Sequence, residues 1–269
     1  MKKRYILFAI AALSLLFTSC LDVEMKIRVN RDGSGELVET IFMQSDILQM
    51  VNAMGQQGQE EKSSKDKTFG FITKKELEAR AATIGGGARL VSVKEVNREG
   101  FVGYQAVYSF DDVTRINVNQ SPGDVFPGSL EDQGTEAENL KFDYTTGNLT
   151  IHFPNDDFSG EDSTESPNAS DPGELSGEEL EFVKEIWGSF RIAMMVEVQG
   201  TITSTNATYQ EGSSVVLMDL DFSRILEDEE AFLDLIRNDP ETIEDFKRTA
   251  EGIDGIRVEL EDPVTIRFR

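Results

Sequence analysis

Few residues of this chain have the type and spacing to do chemistry, and the first is Cys20, its single cysteine. Before it come the basic start Lys2-Lys3-Arg4, a thirteen-residue apolar run from Tyr5 to Phe17, and the small residues Thr18 and Ser19. A basic stretch, a short apolar run and small residues at a cleavage point make a secretory signal. The run is too short to cross ~30 Å of hydrocarbon as a helix. A cysteine placed directly after the small residues looks like the acceptor of a bacterial lipoprotein signal; an ordinary cleaved signal with an incidental cysteine is the alternative. Residues 1–19 are therefore expected to be removed and Cys20 to carry acyl chains such as palmitate. Phe17 departs from the small aliphatic residue usual three places before such a cysteine. Leu21, rather than an aspartate, follows it, which in a two-membrane cell permits transfer to the outer membrane. The expected location is the cell membrane or outer membrane, on the extracytoplasmic side.

Beyond Cys20 the chemical inventory is thin. His152 is the single histidine and lies between Ile151 and Phe153 in a strand-like stretch, where a structural role is expected. With Cys20 committed to lipid, no zinc site of several thiolate or imidazole ligands can be assembled. A serine triad would have to use His152, and no Gly-x-Ser-x-Gly turn accompanies it. Gly85-Gly86-Gly87 follows a helical stretch and precedes a strand, the wrong order for a phosphate-cradling loop, so it reads as a helix stop. Carboxylates remain. Asp219 and Asp221, two apart on one strand face, would stand roughly 7 Å from each other by strand rise. That separation falls near the one used by inverting glycosidases, or the pair could hold a cation. In a chain with 50 acidic residues, a solvated face is the stronger expectation. No catalytic residue, metal ligand or cofactor is assigned.

These residues are positioned by elements of period two. Val23, Met25, Ile27 and Val29 alternate with Glu24, Lys26 and Arg28, as in a half-buried strand. Asn30-Arg31-Asp32-Gly33-Ser34-Gly35 supplies a turn, and Glu36–Met43 completes a hairpin. Ala88–Val96 and Phe101–Phe110 form a second, with Val102, Tyr104, Ala106, Tyr108 and Phe110 on one face. Leu140–Tyr144 and Leu149–Phe153 form a third. Arg191–Thr205 followed by Ser213–Phe222 makes a fourth group, and Ile256–Leu260 and Val264–Phe268 close the chain around Asp262-Pro263.

Helices fill the intervals. One starts at Ser45-Asp46, with Ile47, Met50, Val51 and Met54 at core spacing. Thr73-Lys74-Lys75-Glu76 is a capping box ahead of Leu77, Ala81 and Ile84. Leu180, Val183 and Trp187 share one stripe, with Phe182, Ile186 and Phe190 adding apolar surface. Glu227–Asn238 precedes a helix capped at Asp239-Pro240 that carries Ile243, Phe246 and Ala250. Strands and helices in blocks give an α+β fold, a mostly antiparallel sheet of hairpins with several packed helices. Residues 155–177 hold seven acidic residues, no basic ones and two prolines, a composition that buries no core. They read as an acidic disordered insertion between an N-terminal part (20–154) and a C-terminal part (178–269) of one domain; a divider between two domains is the alternative.

The formal charge of −24 becomes −27 when residues 1–19 leave, because they hold three basic and no acidic residues. A surface of that sign does not neutralise phosphates, so nucleic acid is excluded as a partner. It also sets the acidic body away from anionic headgroups, leaving the acyl anchor as the contact with membrane lipid.

Cys20-Leu21-Asp22-Val23, the strand that follows, Asp32-Gly33-Ser34-Gly35 and Leu37–Met43 resemble the opening of LppM-like bacterial lipoproteins. The resemblance recurs at Gly100–Phe110 and at Val198-Gln199-Gly200-Thr201-Ile202-Thr203-Ser204-Thr205-Asn206-Ala207. It covers about half of the mature chain. It implies an extracytoplasmic α+β domain, suspected lipid or glycolipid binding and no established catalytic residues. The expected function is a membrane-anchored, non-enzymatic envelope lipoprotein that binds an apolar or amphipathic ligand such as a lipid. A protein-interaction or assembly lipoprotein is the alternative, and a carboxylate-dependent hydrolase built on Asp219 and Asp221 comes third.

Overall fold

The structure is a computed structural model and describes residues 21–46, 48–49, 68–119, 139–154, 180–181, 183–184, 188–238, 248–250 and 252–269. In chain order the strands are β1 (Leu21–Val29), β2 (Gly35–Gln44), β3 (Thr68–Phe69), β4 (Ile72–Thr73), β5 (Arg89–Arg98), β6 (Phe101–Phe110), β7 (Val118–Asn119) and β8 (Asn139–Thr145). Then come β9 (Asn148–His152), β10 (Arg191–Val198), β11 (Ile202–Thr205), β12 (Gln210–Glu211), β13 (Ser214–Asp221), β14 (Ile256–Val258) and β15 (Val264–Phe268). The helices with both ends among the described residues are α1 (Lys74–Ile84), α2 (Phe222–Ile225) and α3 (Glu229–Asn238). Among the described residues the structure is mainly sheet with some helices, consistent with an α+β fold.

The large sheet runs β12-β13-β10-β1-β2-β6-β5, with β14 also paired to β13. A second sheet runs β11-β15-β9-β8-β7, and β3 and β4 form a two-stranded ribbon. The first three hairpins expected from alternation are present. β2 pairs with β6 from Gly35↔Phe110 to Gln44↔Phe101, so Leu37, Glu39, Ile41 and Met43 share a face with Tyr104, Ala106, Tyr108 and Phe110. Leu37, Ile41, Met43, Tyr104, Ala106, Tyr108 and Phe110 on that face are buried. β5 is an edge strand with a bulge between Leu90 and Ser92, and Val91 at the bulge is 58% exposed.

Two stretches are arranged in ways that alternation leaves open. Arg191–Thr205 is not one strand. Gly200 stands at φ 121°, a conformation that glycine reaches without strain, and the chain turns there from β10 in the large sheet to β11 in the small one. The closing strands do not pair with each other either: β14 joins β13, whereas β15 lies between β11 and β9. Hydrophobic alternation describes each strand but carries no record of its neighbour.

Two compact units divide the chain. One comprises residues 22–154, 192–218 and 257–269, and the other residues 1–21, 155–191 and 219–256. Within the second, α3 carries Phe232 as a buried residue and Glu229 meets Lys184. Phe190 and Phe222 pack edge to face at 5.4 Å. Cys20, Ile47, Met50, Val51, Met54, Phe182, Ile186, Trp187, Asp239, Pro240, Ile243, Phe246 and the 155–177 segment lie outside the described residues. Residues 45–46, 48–49, 180–181, 183–184 and 248–250 are helical. Among the described residues no helix is long and apolar enough to cross a membrane.

The α1 boundaries follow from local chemistry. Thr73 Oγ1 accepts from the Glu76 backbone N–H while a Glu76 carboxylate oxygen accepts from the Thr73 N–H at 2.7 Å, a complete capping box. Leu77, Ala81 and Ile84 form its buried face. The stop is Gly85-Gly86-Gly87, all at positive φ; a Cβ on Gly86 would stand 2.7 Å from Ile116 Cγ2. Thr73→Ala should lower stability by about 1 kcal/mol, and Gly86→Ala by at least that much, both read as a reduced urea midpoint with an unchanged slope.

Candidate functional site

The face of β2 and β6 that should be wholly apolar contains a carboxylate. Glu39 falls in phase with Leu37 and Ile41 and is fully buried. Its register partner is Ala106, whose small side chain leaves room above the strand. Tyr104 and Tyr108 stand one step to either side on the same face of β6. Burying a charge without partners costs many kcal/mol, so Glu39 has to be met from within the protein. Tyr104 Oη donates to Glu39 Oε1 at 2.7 Å. Arg80 of α1 donates through Nε to Glu39 Oε2 at 2.6 Å. The Arg80 side chain is 18% exposed while that of Glu39 is not exposed at all. Helix α1 is thereby tied to the sheet by an ion pair as well as by its apolar residues. Phe71, in the β3–β4 turn, meets the Tyr104 ring edge-on at 5.6 Å.

Tyr108 completes the cluster differently. It is fully buried, and its hydroxyl has no hydrogen-bond partner among the described residues. Burial, and after it the Glu39 charge, pushes the Tyr108 phenol well above its usual value. Burial, the Glu39 charge and the hydrogen bond to it push Tyr104 up as well. For Arg80, burial on its own favours the neutral form; the charge of Glu39 and the hydrogen bond to it outweigh that and raise the guanidinium further. The site therefore holds an ion pair, one satisfied phenol and one phenol with hydrogen-bonding capacity to spare. Both phenols and the guanidinium are pushed further from neutrality, away from an acid–base role.

Glu39, Arg80, Tyr104 and Tyr108 did not stand out as a site in the sequence, although the signal was there. Glu39 interrupts Leu37-x-x-x-Ile41 at strand spacing, and Arg80 lies three after Leu77 and four before Ile84 on a buried helical face. A charged residue in phase with an apolar stripe on each of two elements is the mark of a buried pair.

The residues singled out by type have other employment. Asp219 was expected on a solvated face and is 7% exposed. β13 lies inside the sheet, flanked by β12 and β10, and Arg191 Nε and Nη2 donate to the two Asp219 oxygens at 2.9 and 3.3 Å. Asp221 ends the strand as the N-cap of α2, accepting from the Ser223 N–H at 3.1 Å. His152 Nε2 lies 3.0 Å from an Asp143 oxygen across the β8–β9 hairpin. Among the described residues no group of three His, Cys, Asp or Glu side chains is arranged to hold a metal ion.

Glu39→Ala should cost about 3–5 kcal/mol, because it removes the carboxylate that balances a largely buried guanidinium. Tyr108→Phe should be neutral or stabilising, since it deletes a buried hydroxyl with nothing to bond. Chemical denaturation of the two variants checks the contrast. The raised phenols also fix an alkaline limit. Below an ordinary tyrosine value of 10.0 their contribution to stability is intact. Above it the unfolded chain releases protons that the folded chain keeps, so stability falls by up to about 1.4 kcal/mol per pH unit for each tyrosine. Phenolate absorbance should show two tyrosines ionising only as the fold is lost.

Neither a family model nor a curated protein sequence matches the chain. Among solved structures, two M1 zinc metallopeptidase structures from Deinococcus radiodurans are similar over 76% of this chain but only 41% of theirs. One, a mutant bound to a Tyr-Ser-Ala substrate, gives 10% identity and a TM-score of 0.25; the other gives 11% and 0.22. The folded domain of Mycobacterium tuberculosis LppM, solved by NMR, is similar over 93% of this chain and 91% of that one, at 13% identity and a TM-score of 0.34.

Proposed function

We propose that this chain is a non-enzymatic envelope lipoprotein, anchored through acylated Cys20, whose sheet binds an apolar or amphipathic molecule such as a lipid. The anchor rests on the order of Lys2-Lys3-Arg4, the Tyr5–Phe17 run and Thr18-Ser19-Cys20. Ligand binding has one structural observation behind it, the Tyr108 hydroxyl. Proteins rarely leave a buried polar group unpaired without a purpose. Here the unpaired hydroxyl sits among apolar side chains of β2 and β6 and next to a neutralised ion pair. An amphipathic molecule needs that combination, an apolar wall with one polar group that fixes its head. The Glu39–Arg80 pair keeps Tyr104 engaged; Tyr108 is closed off from solvent, so a polar head reaches its hydroxyl only when the apolar side chains over it part.

Cys20→Ala should abolish palmitate incorporation and release the protein from the membrane fraction without detergent; continued labelling of the variant would refute the anchor. Organic extraction of the purified wild-type protein should yield a lipid detected by mass spectrometry. Tyr108→Phe should lower that yield several-fold while leaving the fold intact. A wild-type protein that releases no lipid, yet recovers a stoichiometric envelope protein on crosslinking in cells, would favour the assembly role instead.

A further inference from the structure

Cys20 is joined to the sheet with no linker. β1 begins at the next residue, and both Leu21 and Asp22 are buried. The Asp22 carboxylate is held by Arg98 Nη1 at 2.6 Å. Two residues of extended chain reach at most about 7 Å, so whatever holds Cys20 also holds the end of the sheet that contains Asp22. That end can be named from register. Gln44 of β2 is opposite Phe101 of β6, and Phe101 is opposite Arg98 of β5, so the start of β1, the end of β2, the start of β6 and the end of β5 lie together. Arg98 dominates it. Its guanidinium carbon lies 4.5 Å from the Phe42 ring centroid and 4.4 Å from that of Phe101, with 43% of its side chain exposed.

We infer that this end of the large sheet lies against the surface of the bilayer that holds the anchor, with Arg98 between Phe42 and Phe101 reaching lipid phosphates. The inference rests on acylation of Cys20, because the acyl chains bring the surface to within two residues of Asp22. The chemistry suits the level of the headgroups, where aromatic rings and long cationic side chains place their apolar parts inward and their polar ends in water. Asp22 neutralises part of the guanidinium charge, so the contact does not depend on anionic lipid and is compatible with an acidic protein. The acidic body is then seated on the membrane by one end, in place of the stand-off that its net charge suggests.

The test uses the full acylated protein in vesicles of zwitterionic phospholipid, with Glu99→Cys in the β5–β6 turn and Thr146→Cys in the β8–β9 turn, each labelled with an environment-sensitive fluorophore. Acylated Cys20 has no free thiol to compete. Thr146 lies two residues after Tyr144, whose hydroxyl donates to the Arg31 carbonyl at 2.7 Å. It therefore belongs to the far end of β1, a nine-residue strand about 30 Å long. Brominated phospholipid should quench the label at position 99 at least twofold and leave the label at position 146 unchanged. Equal and full access of both labels to aqueous iodide, with palmitate labelling intact, overturns the seating alone. Absence of palmitate from both variants and from the wild type overturns the anchor, and the seating with it.

Discussion

A carboxylate shut away from water must find its counter-charge inside the protein, and much of this fold is arranged around that demand at Glu39. The hydroxyl of Tyr104 and the guanidinium of Arg80 meet its two oxygens. Meeting them requires β2, β6 and α1 to be in register at once. Apolar contacts are tolerant of sliding; a charged hydrogen bond with a distance and a direction is not. The pair selects one placement of α1 on the sheet from the several that Leu77, Ala81 and Ile84 would accept. Desolvation keeps its net contribution to stability small.

The same logic recurs across an unusually acidic chain. Of its 50 acidic residues, four among the described ones are buried: Asp22, Glu39, Asp219 and Glu259. Three are met by an arginine each, Arg98, Arg80 and Arg191. Glu259 instead accepts from the Thr208 hydroxyl and from the backbone N–H groups of Thr208, Leu260 and Glu261. Arginine in these places fits the need for a forked donor that stays charged when partly buried. The other acids among the described residues are partly or fully exposed, where their mutual repulsion is screened. Net charge therefore describes the surface of this protein, while its interior is settled by particular pairs.

Much of the architecture was legible from alternation and turn chemistry. The β1–β2, β5–β6 and β8–β9 hairpins are each written as two apolar stripes around a glycine-containing turn, and the Thr73 capping box is a purely local signal. Strand order was not legible. Nothing in Ile202–Thr205 says that β15 is its neighbour, because edge partners are chosen by the whole arrangement of layers. The candidate site failed to show for a related reason: Glu39 and Arg80 each read as a defect in an apolar stripe. Only bringing α1 over β2 makes the two defects one feature. Asp219 misled in the opposite direction, since its alternation with Met218 and Leu220 suggests a solvated face and conceals the arginine that allows its burial.

The position of β15 carries a consequence for how the molecule comes to exist. Ile151 of β9 pairs with Val264, more than a hundred residues later, and β11 has its own partner only in the same strand. Until β15 arrives, β9 and β11 each present an open row of backbone donors and acceptors, the condition in which chains pair with the wrong neighbour. Contacts so remote in sequence close slowly, because the loop entropy is lost before any bond forms. Joining β15 to β9 therefore follows the local β8–β9 hairpin, and joining β10 to β1 in the large sheet closes a still longer stretch of chain. In the interval the hairpins of the large sheet, which need only local contacts, are already able to form, and the exposed edges of β9 and β11 are where a folding chaperone would find its hold.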